Sequence, residues 1–243
     1  MGLYRHAALI VPVTDTFSHK LQARGIAPDK LCVIKNGVSI ALFSPRPVPE
    51  ALKSSLGLSG KFIVGYMGAH GISHALIKVI DAAESLVQDE RIHFLFVGEG
   101  AEKALLQEAV RIRGLRNVTF LPGQSKSEVP DYYAMMDVSL VPLRDIGLFD
   151  SFIPSKMFEI MGMRRAIIGM LRGEAAAILE ASGGALVGPP GNVEVLVGHI
   201  QKLCDSPELC ESLGMAGEVF VTREFDRTVI ARQYAARLAQ VVG

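Results

Sequence analysis

The sequence contains no tryptophan, and aromatic residues of every kind fill only 7% of its 243 positions. It has no excess charge of either sign: 25 Lys+Arg face 25 Asp+Glu, a formal net charge of +0. No basic run and no interleaving of basic with aromatic residues is present, which argues against nucleic acid as a partner. Cysteine is scarce. Cys32, Cys204 and Cys210 share no zinc-type spacing, and so sparse and odd a count fits a reducing compartment in which thiols act as small buried hydrophobes. The longest apolar runs are strand-sized, well short of the roughly 20 residues that cross a bilayer. The start lacks a basic segment followed by a long apolar one, so no secretory signal is expected. His6 stands where a myristoylation signal needs serine or threonine. These absences lead to the expectation of a cytoplasmic protein.

What is present is a globular, rather apolar chain, with 49% hydrophobic and 21% charged residues, long enough for one large or two small domains. Six histidines are scattered through it. His70 and His74 are four apart and would meet on one helical face, but the glutamate that follows the first histidine of a zinc-protease helix is missing. No metal site is expected.

Along the chain, residues 8–13 read as a short buried strand. Residues 14–24 read as a helix capped by Thr14 and stopped by Gly25, and 31–35 as a second strand ended by the Asn36-Gly37 turn signal. Pro45, Pro47 and Pro49 make 44–50 the best linker. Thereafter strand-like runs at 62–67, 92–97, 117–121, 137–141, 166–170 and 185–187 alternate with helical runs near 74–88, 101–113, 126–136, 154–163 and 173–182. That rhythm predicts an α/β, Rossmann-like parallel sheet with helices on both faces. Residues 191–204, 206–222 and 225–242 read as closing C-terminal helices. Residues 1–43 are too few to bury a core alone; they either extend the periphery of the main sheet or belong to a larger partner domain.

Ligands of such sheets bind at the carboxyl ends of the strands. The loops there hold Gly65-Tyr-Met-Gly68-Ala-His-Gly71, Gly98-Glu99-Gly100, Leu121-Pro122-Gly123, Arg144 and Gly173-Glu174. Glycines let backbone approach a ligand, although each of these loops also reads as a plain tight turn. The spacing is not the dinucleotide fingerprint, which argues against an NAD-dependent dehydrogenase. The most informative stretch is Ile153-Pro-Ser-Lys-Met-Phe-Glu159. Pro154 suits a first helical position, and Ser155, Lys156 and Glu159 then lie within two turns. A helix start with a serine and a lysine beside it can cradle phosphate oxygens, and a glutamate one turn deeper can accept bonds from sugar hydroxyls. An ordinary amphipathic helix with a polar face is the plain alternative.

The order of Asn36-Gly-Val38, Phe43-Ser-Pro45, Val64-Gly-Tyr-Met-Gly68, Phe96-Val-Gly-Glu-Gly100, Val141-Pro-Leu-Arg144, Ile153-Pro-Ser-Lys-Met-Phe-Glu159, Gly173-Glu-Ala175 and Pro189-Pro-Gly191 resembles the C-terminal half of retaining glycosyltransferases of family 4. These have the GT-B fold, and the likeness is to those that build O-antigen and colanic-acid-type surface polysaccharides. The resemblance covers nearly the whole chain. It implies a donor-binding domain at 51–222 and a crossover helix at 223–243, with 1–43 the last piece of an acceptor-side domain that is otherwise missing or separate. It implies a nucleoside diphosphate sugar donor, a UDP-sugar above all, a polysaccharide or lipid-linked acceptor, and a cytoplasmic protein that can sit peripherally at the inner membrane face. It also implies that positive groups, rather than a metal or other cofactor, hold the leaving group. By resemblance Glu159 binds the donor ribose, Ser155 and Lys156 face the diphosphate, and the Gly68 loop closes over it. Gly98, His74, Arg144 and Glu174 complete the candidate donor rim.

Two departures stand out. Ser151 occupies the place of a glutamate that many members carry, with Asp150 or Glu174 as substitutes. Met67 or Gly68 and His74 fall where an arginine and a lysine are usual, leaving Lys156 and Arg144 to supply positive charge. The chain alone is expected not to catalyse transfer. A non-enzymatic nucleotide-sugar-binding module, as a split or decayed subunit, is the alternative, and an epimerase of the same fold is a more remote one. Apolar Val229, Ile230, Tyr234 and Leu238 of the last helix are expected to be exposed.

Overall fold

The computed structural model describes residues 2–242. Among them one parallel sheet of six strands organises the chain. The strands are β1 (Phe62–Met67), β2 (Ile92–Val97), β3 (Val118–Leu121), β4 (Val138–Pro142), β5 (Ala166–Met170) and β6 (Ala185–Gly188), in the order β3-β2-β1-β4-β5-β6. Every pairing is parallel. The strands are apolar on both sides because both faces are covered. Ile63, Leu95, Val97, Val141 and Ile167 point into one cluster, and Val64, Tyr66, Phe94, Phe96, Leu140 and Ile168 into the other.

Eleven helices occur among the described residues: α1 (Gly2–His6), α2 (Asp15–Gln22), α3 (Glu50–Ser55), α4 (Ile77–Ser85), α5 (Lys103–Ile112), α6 (Val129–Met135), α7 (Lys156–Gly162), α8 (Glu174–Ser182), α9 (Val193–Cys204), α10 (Pro207–Glu224) and α11 (Arg227–Val242). Residues of α6, α7, α8 and α10 enter the first cluster, and those of α4, α5 and α9 the second. The chain reverses its direction of strand addition between β1 and β4. In a sheet of this kind that point opens a crevice at the strands' carboxyl ends.

The expected strands at 8–13 and 31–35 do not form a ladder. They reduce to a single parallel bridge, Ile10 to Leu31. Ile10 N–H donates to Lys30 O, Cys32 N–H to Ile10 O and Ile34 N–H to Pro12 O. The bond missing from this alternation is the one Pro12 would donate, and proline has no N–H. The helix expected at 74–88 is also shorter. A 3-10 turn at Ile72–His74 ends in a left-handed Ala75, and α4 begins only at Ile77. The helix expected from Pro154 starts at Lys156, because Met157 and Phe158 donate to Pro154 and Ser155 in i→i+3 bonds.

The N-terminal segment packs on the periphery of the sheet domain. Leu21, Ile26, Val38 and Phe43 are buried, and Thr14 caps α2 as expected, its Oγ1 accepting from Phe17 N–H at 3.1 Å. Val38 bridges to Asp226 at the α10–α11 junction. On α11, Tyr234 and Leu238 are exposed, whereas Ile230 packs against the core. No described helix is long and apolar enough to cross a membrane.

Candidate donor-binding site

The loops after β1, β2 and β4 meet at the carboxyl ends of the strands. There Gly68 and Gly98 press together. Both have positive φ, 137° and 147°, and a Cβ on Gly98 would run into the Gly68 carbonyl. Only glycine allows two strand ends to approach so closely in this conformation. Lys103 fastens the second loop, its ammonium donating to Gly98 O, Leu121 O and Glu99 Oε1 at 2.8–3.0 Å. Arg144 N–H donates to Ser73 O at 2.8 Å and ties the loop after β4 to that after β1, while its side chain stands exposed.

Lys156, at the start of α7, reaches over this pair. Its Nζ lies 4.0 Å from the centroid of the Tyr66 ring, and a Cβ on Gly68 would be 2.7 Å from it. The Nζ is buried and has no hydrogen-bond partner. Burial drives its pKa down to about 7, with Glu159 pulling weakly the other way. His70 and His74 flank the same tyrosine ring at 5.8 and 5.7 Å. They do not share a helical face: His70 is in the loop and His74 ends the 3-10 turn. His70 is fully buried with both ring nitrogens unpartnered, and His74 Nδ1 lies 3.4 Å from Pro142 O. Burial lowers both imidazoles to about 4, with neighbouring lysines adding to the effect, so both are neutral at pH 7.

Glu159 sits one turn beyond Lys156 and is half-buried. Tyr133 donates its hydroxyl to Glu159 Oε2 at 3.4 Å. Burial raises the Glu159 carboxyl above the usual range, against the pull of Tyr133, Lys126, Lys156 and Arg227. Ser155 lines a cleft of about 400 Å³ with Asn36, Gly37 and Arg227. Because Met157 and Phe158 spend their N–H groups inside the chain, the start of α7 offers fewer free donors than a full helix end, and the side chains carry more of the task.

The structure brings Gly68, Gly98, His74 and Lys156 together, with Glu159 and Ser155 adjacent. It does not bring Glu174 there. That carboxylate accepts from Asp15 N–H at 3.0 Å and from Thr16 N–H and Oγ1 at 3.1 Å, and Lys35 pairs with it at 3.2 Å. Glu174 therefore closes the amino end of α2 and fastens the N-terminal segment to the sheet domain, which corrects its expected place on the rim. Nor does the other proposed substitute stand free: Asp150 is paired with Arg172, and Ser151, at the place of the expected glutamate, donates to Leu148 O and receives Lys20 Nζ. Tyr66, His70, Tyr133 and Arg227 are the residues that sequence reasoning missed as part of the site. For His70 the signal was its place between two glycines after a strand.

Burial alone would raise the Glu174 carboxyl, but the Asp15 and Thr16 amides and the Lys35 ammonium outweigh it and hold it below its ordinary value. Its stabilisation is therefore complete above about pH 4.5 and is lost as pH falls through the lower folded value. Glu174→Gln is expected to cost about 1–2 kcal/mol at neutral pH and to flatten the acid limb of the stability profile. Urea melts at pH 7 and at about pH 3.5 check this; identical profiles for the two proteins would refute the clamp.

A sequence model described as glycosyl transferases group 1 matches residues 61–206, which hold the whole sheet and its rim. The chain belongs to the group 1 glycosyl transferases. Among the relatives of this chain, the putative colanic acid biosynthesis glycosyl transferase WcaI of Escherichia coli is 30% identical over 228 residues, 91% of this chain and 54% of the relative. The E. coli putative colanic acid biosynthesis glycosyltransferase WcaL is 25% identical over 241 residues, 97% of this chain and 57% of that one. The chain thus spans just over half the length of these curated relatives. In three dimensions, Anabaena HepE, solved with UDP-glucose, superposes with a TM-score of 0.85 at 19% identity, over 98% of this chain and 65% of HepE. The chain accordingly has a parallel, Rossmann-like α/β fold whose structural neighbours are GT-B glycosyltransferases.

Proposed function

We propose that this chain is the donor-binding half of a retaining glycosyltransferase of family 4 that takes a UDP-sugar and glycosylates a polysaccharide or lipid-linked acceptor. The observation that carries the reading is Lys156: a buried amine without a partner, held above a glycine-only gap at the switch point of the sheet. A buried cationic group persists when something supplies its counter-charge, and a diphosphate does so. Lys156 meets the diphosphate at the Gly68 rim. Glu159, oriented by Tyr133, accepts from the ribose hydroxyls, and Arg227 and Ser155 adjoin it. In the transfer, charge develops on the leaving phosphate. A positive side chain aimed there stabilises it without a metal, and the phosphate itself takes the acceptor proton. The relatives named for colanic acid biosynthesis support a surface-polysaccharide acceptor.

Acceptor contacts lie outside these 243 residues in this reading, so donor and acceptor mixed with the chain alone give no product. Robust turnover would overturn that division of labour. Titration calorimetry with UDP and UDP-glucose tests donor binding directly, and no heat at concentrations well above a millimolar constant defeats the proposal. Glu159→Ala is expected to weaken nucleotide binding about 5- to 150-fold, equivalent to about 1–3 kcal/mol of lost charge-assisted hydrogen bonds. An unchanged constant removes Glu159 from the ribose.

A further inference from the structure

We propose that a nucleotide-sugar diphosphate docking at the Gly68 rim draws a proton onto Lys156, so that the substrate itself creates the ammonium that holds the leaving group. This rests on the donor-binding reading above. In the free protein Lys156 Nζ is enclosed between the Tyr66 ring below and Gly68 alongside, with no carboxylate or carbonyl within bonding reach. The ionisable groups around it do not stand in for one. Tyr66 on β1 is kept protonated by burial, and His70 and His74 on the following loop and turn are neutral. Glu159 on its own helix bonds Tyr133 of α6 and shares its charge among Lys126, Lys156 and Arg227, and its pull on Lys156 is outweighed by burial. Lys103 and Glu99 face His70 and bond each other.

Burial leaves the Lys156 amine close to half neutral at about pH 7. A diphosphate diester brings negative charges that do not titrate near neutrality. Against Nζ they supply the missing counter-charge and raise the amine's proton affinity. Whatever raises a pKa on binding takes up protons in proportion. One proton passes from solvent to Nζ, and no bond of the ligand is made or broken. The two imidazoles titrate far lower and contribute nothing above pH 7.

The test is calorimetry of UDP-glucose binding to the full chain at about pH 8, in two buffers of different ionisation enthalpy. Uptake of nearly one proton per site is expected, shrinking at about pH 6, and Kd should rise about tenfold per pH unit between about pH 7.5 and 8.5. Lys156→Arg keeps a fixed charge and should bind without uptake, whereas His199→Gln, on α9 away from the rim, should leave the uptake at pH 8 intact. Should either variant fail to fold, the two-buffer comparison on the unaltered chain decides alone. Measurable affinity with a proton count near zero and a flat pH profile refutes the inference while leaving the donor-binding reading standing. The absence of UDP-glucose binding at every pH defeats the reading and the inference with it.

Discussion

Lys156→Met is expected to make the protein more stable while removing donor binding. The amine is buried without a partner, and its pKa falls from 10.5 to about 7 on folding. A base whose folded pKa is depressed binds its proton more readily in the unfolded chain. Stability therefore rises with pH between about 7 and 10.5, and the full penalty is present below about pH 7. A shift of that size corresponds to about 3–5 kcal/mol. Methionine keeps the stem and the contact with the Tyr66 ring without the charge. A gain of about 1–3 kcal/mol is reasonable after imperfect repacking, together with loss of the stability slope above pH 7. Affinity for UDP-glucose should fall at least about 100-fold, the scale of removing a charged partner from a desolvated pair. Thermal melts at two pH values and calorimetry read both effects. A variant that is less stable and binds normally shows that Lys156 is a packing residue; one that is more stable and binds normally separates its strain from any role toward the donor.

The second large effect is at the glycine pair. Gly98→Ala places a methyl group in contact with the Gly68 carbonyl oxygen and demands a left-handed backbone, φ 147°, from a residue with a Cβ. The atom in the way is backbone, so relief requires β1 and β2 to part where Gly68 N–H donates to Val97 O at 3.0 Å. The expected cost is about 3 kcal/mol or more, combining overpacking with backbone strain. Donor affinity should fall with it, because the same displacement lifts Gly68 away from Lys156. Gly123→Ala is the control: it sits on the neighbouring loop, and its Cβ meets only Glu99 Cγ at 3.7 Å, an ordinary van der Waals contact. Equal stability of the two variants in urea melts would mean that the two loops are not packed as described.

Much of the fold was legible in the residues. β1, β2 and β5 occupy the predicted positions because strands buried on both faces are continuous apolar runs, and glycines or turn residues mark their ends. The Thr14 cap was readable because a capping side chain acts three residues along the chain. The closeness of Lys156 to Gly68 at the sheet's edge was suggested by local order and family likeness, and the structure brings the two together. Strand assignments near Pro12 failed for a reason that was itself in the sequence: two apolar runs matched a pattern, but one residue lacked the N–H to continue the ladder.

The one-dimensional order of apolar and turn residues determined the α/β class and the strand and helix succession, since each of these depends on neighbours within a few positions. Tertiary structure alone decided the rest. Glu174 left the rim for backbone donors at Asp15 and Thr16, 158 or 159 positions away. Lys156 was left without a hydrogen-bond partner beside the neutral Tyr66, His70 and His74, with only the charge of Glu159 drawing on it. Charge and hydrogen-bond satisfaction in a folded interior depend on which distant segments meet, and no local pattern records that meeting.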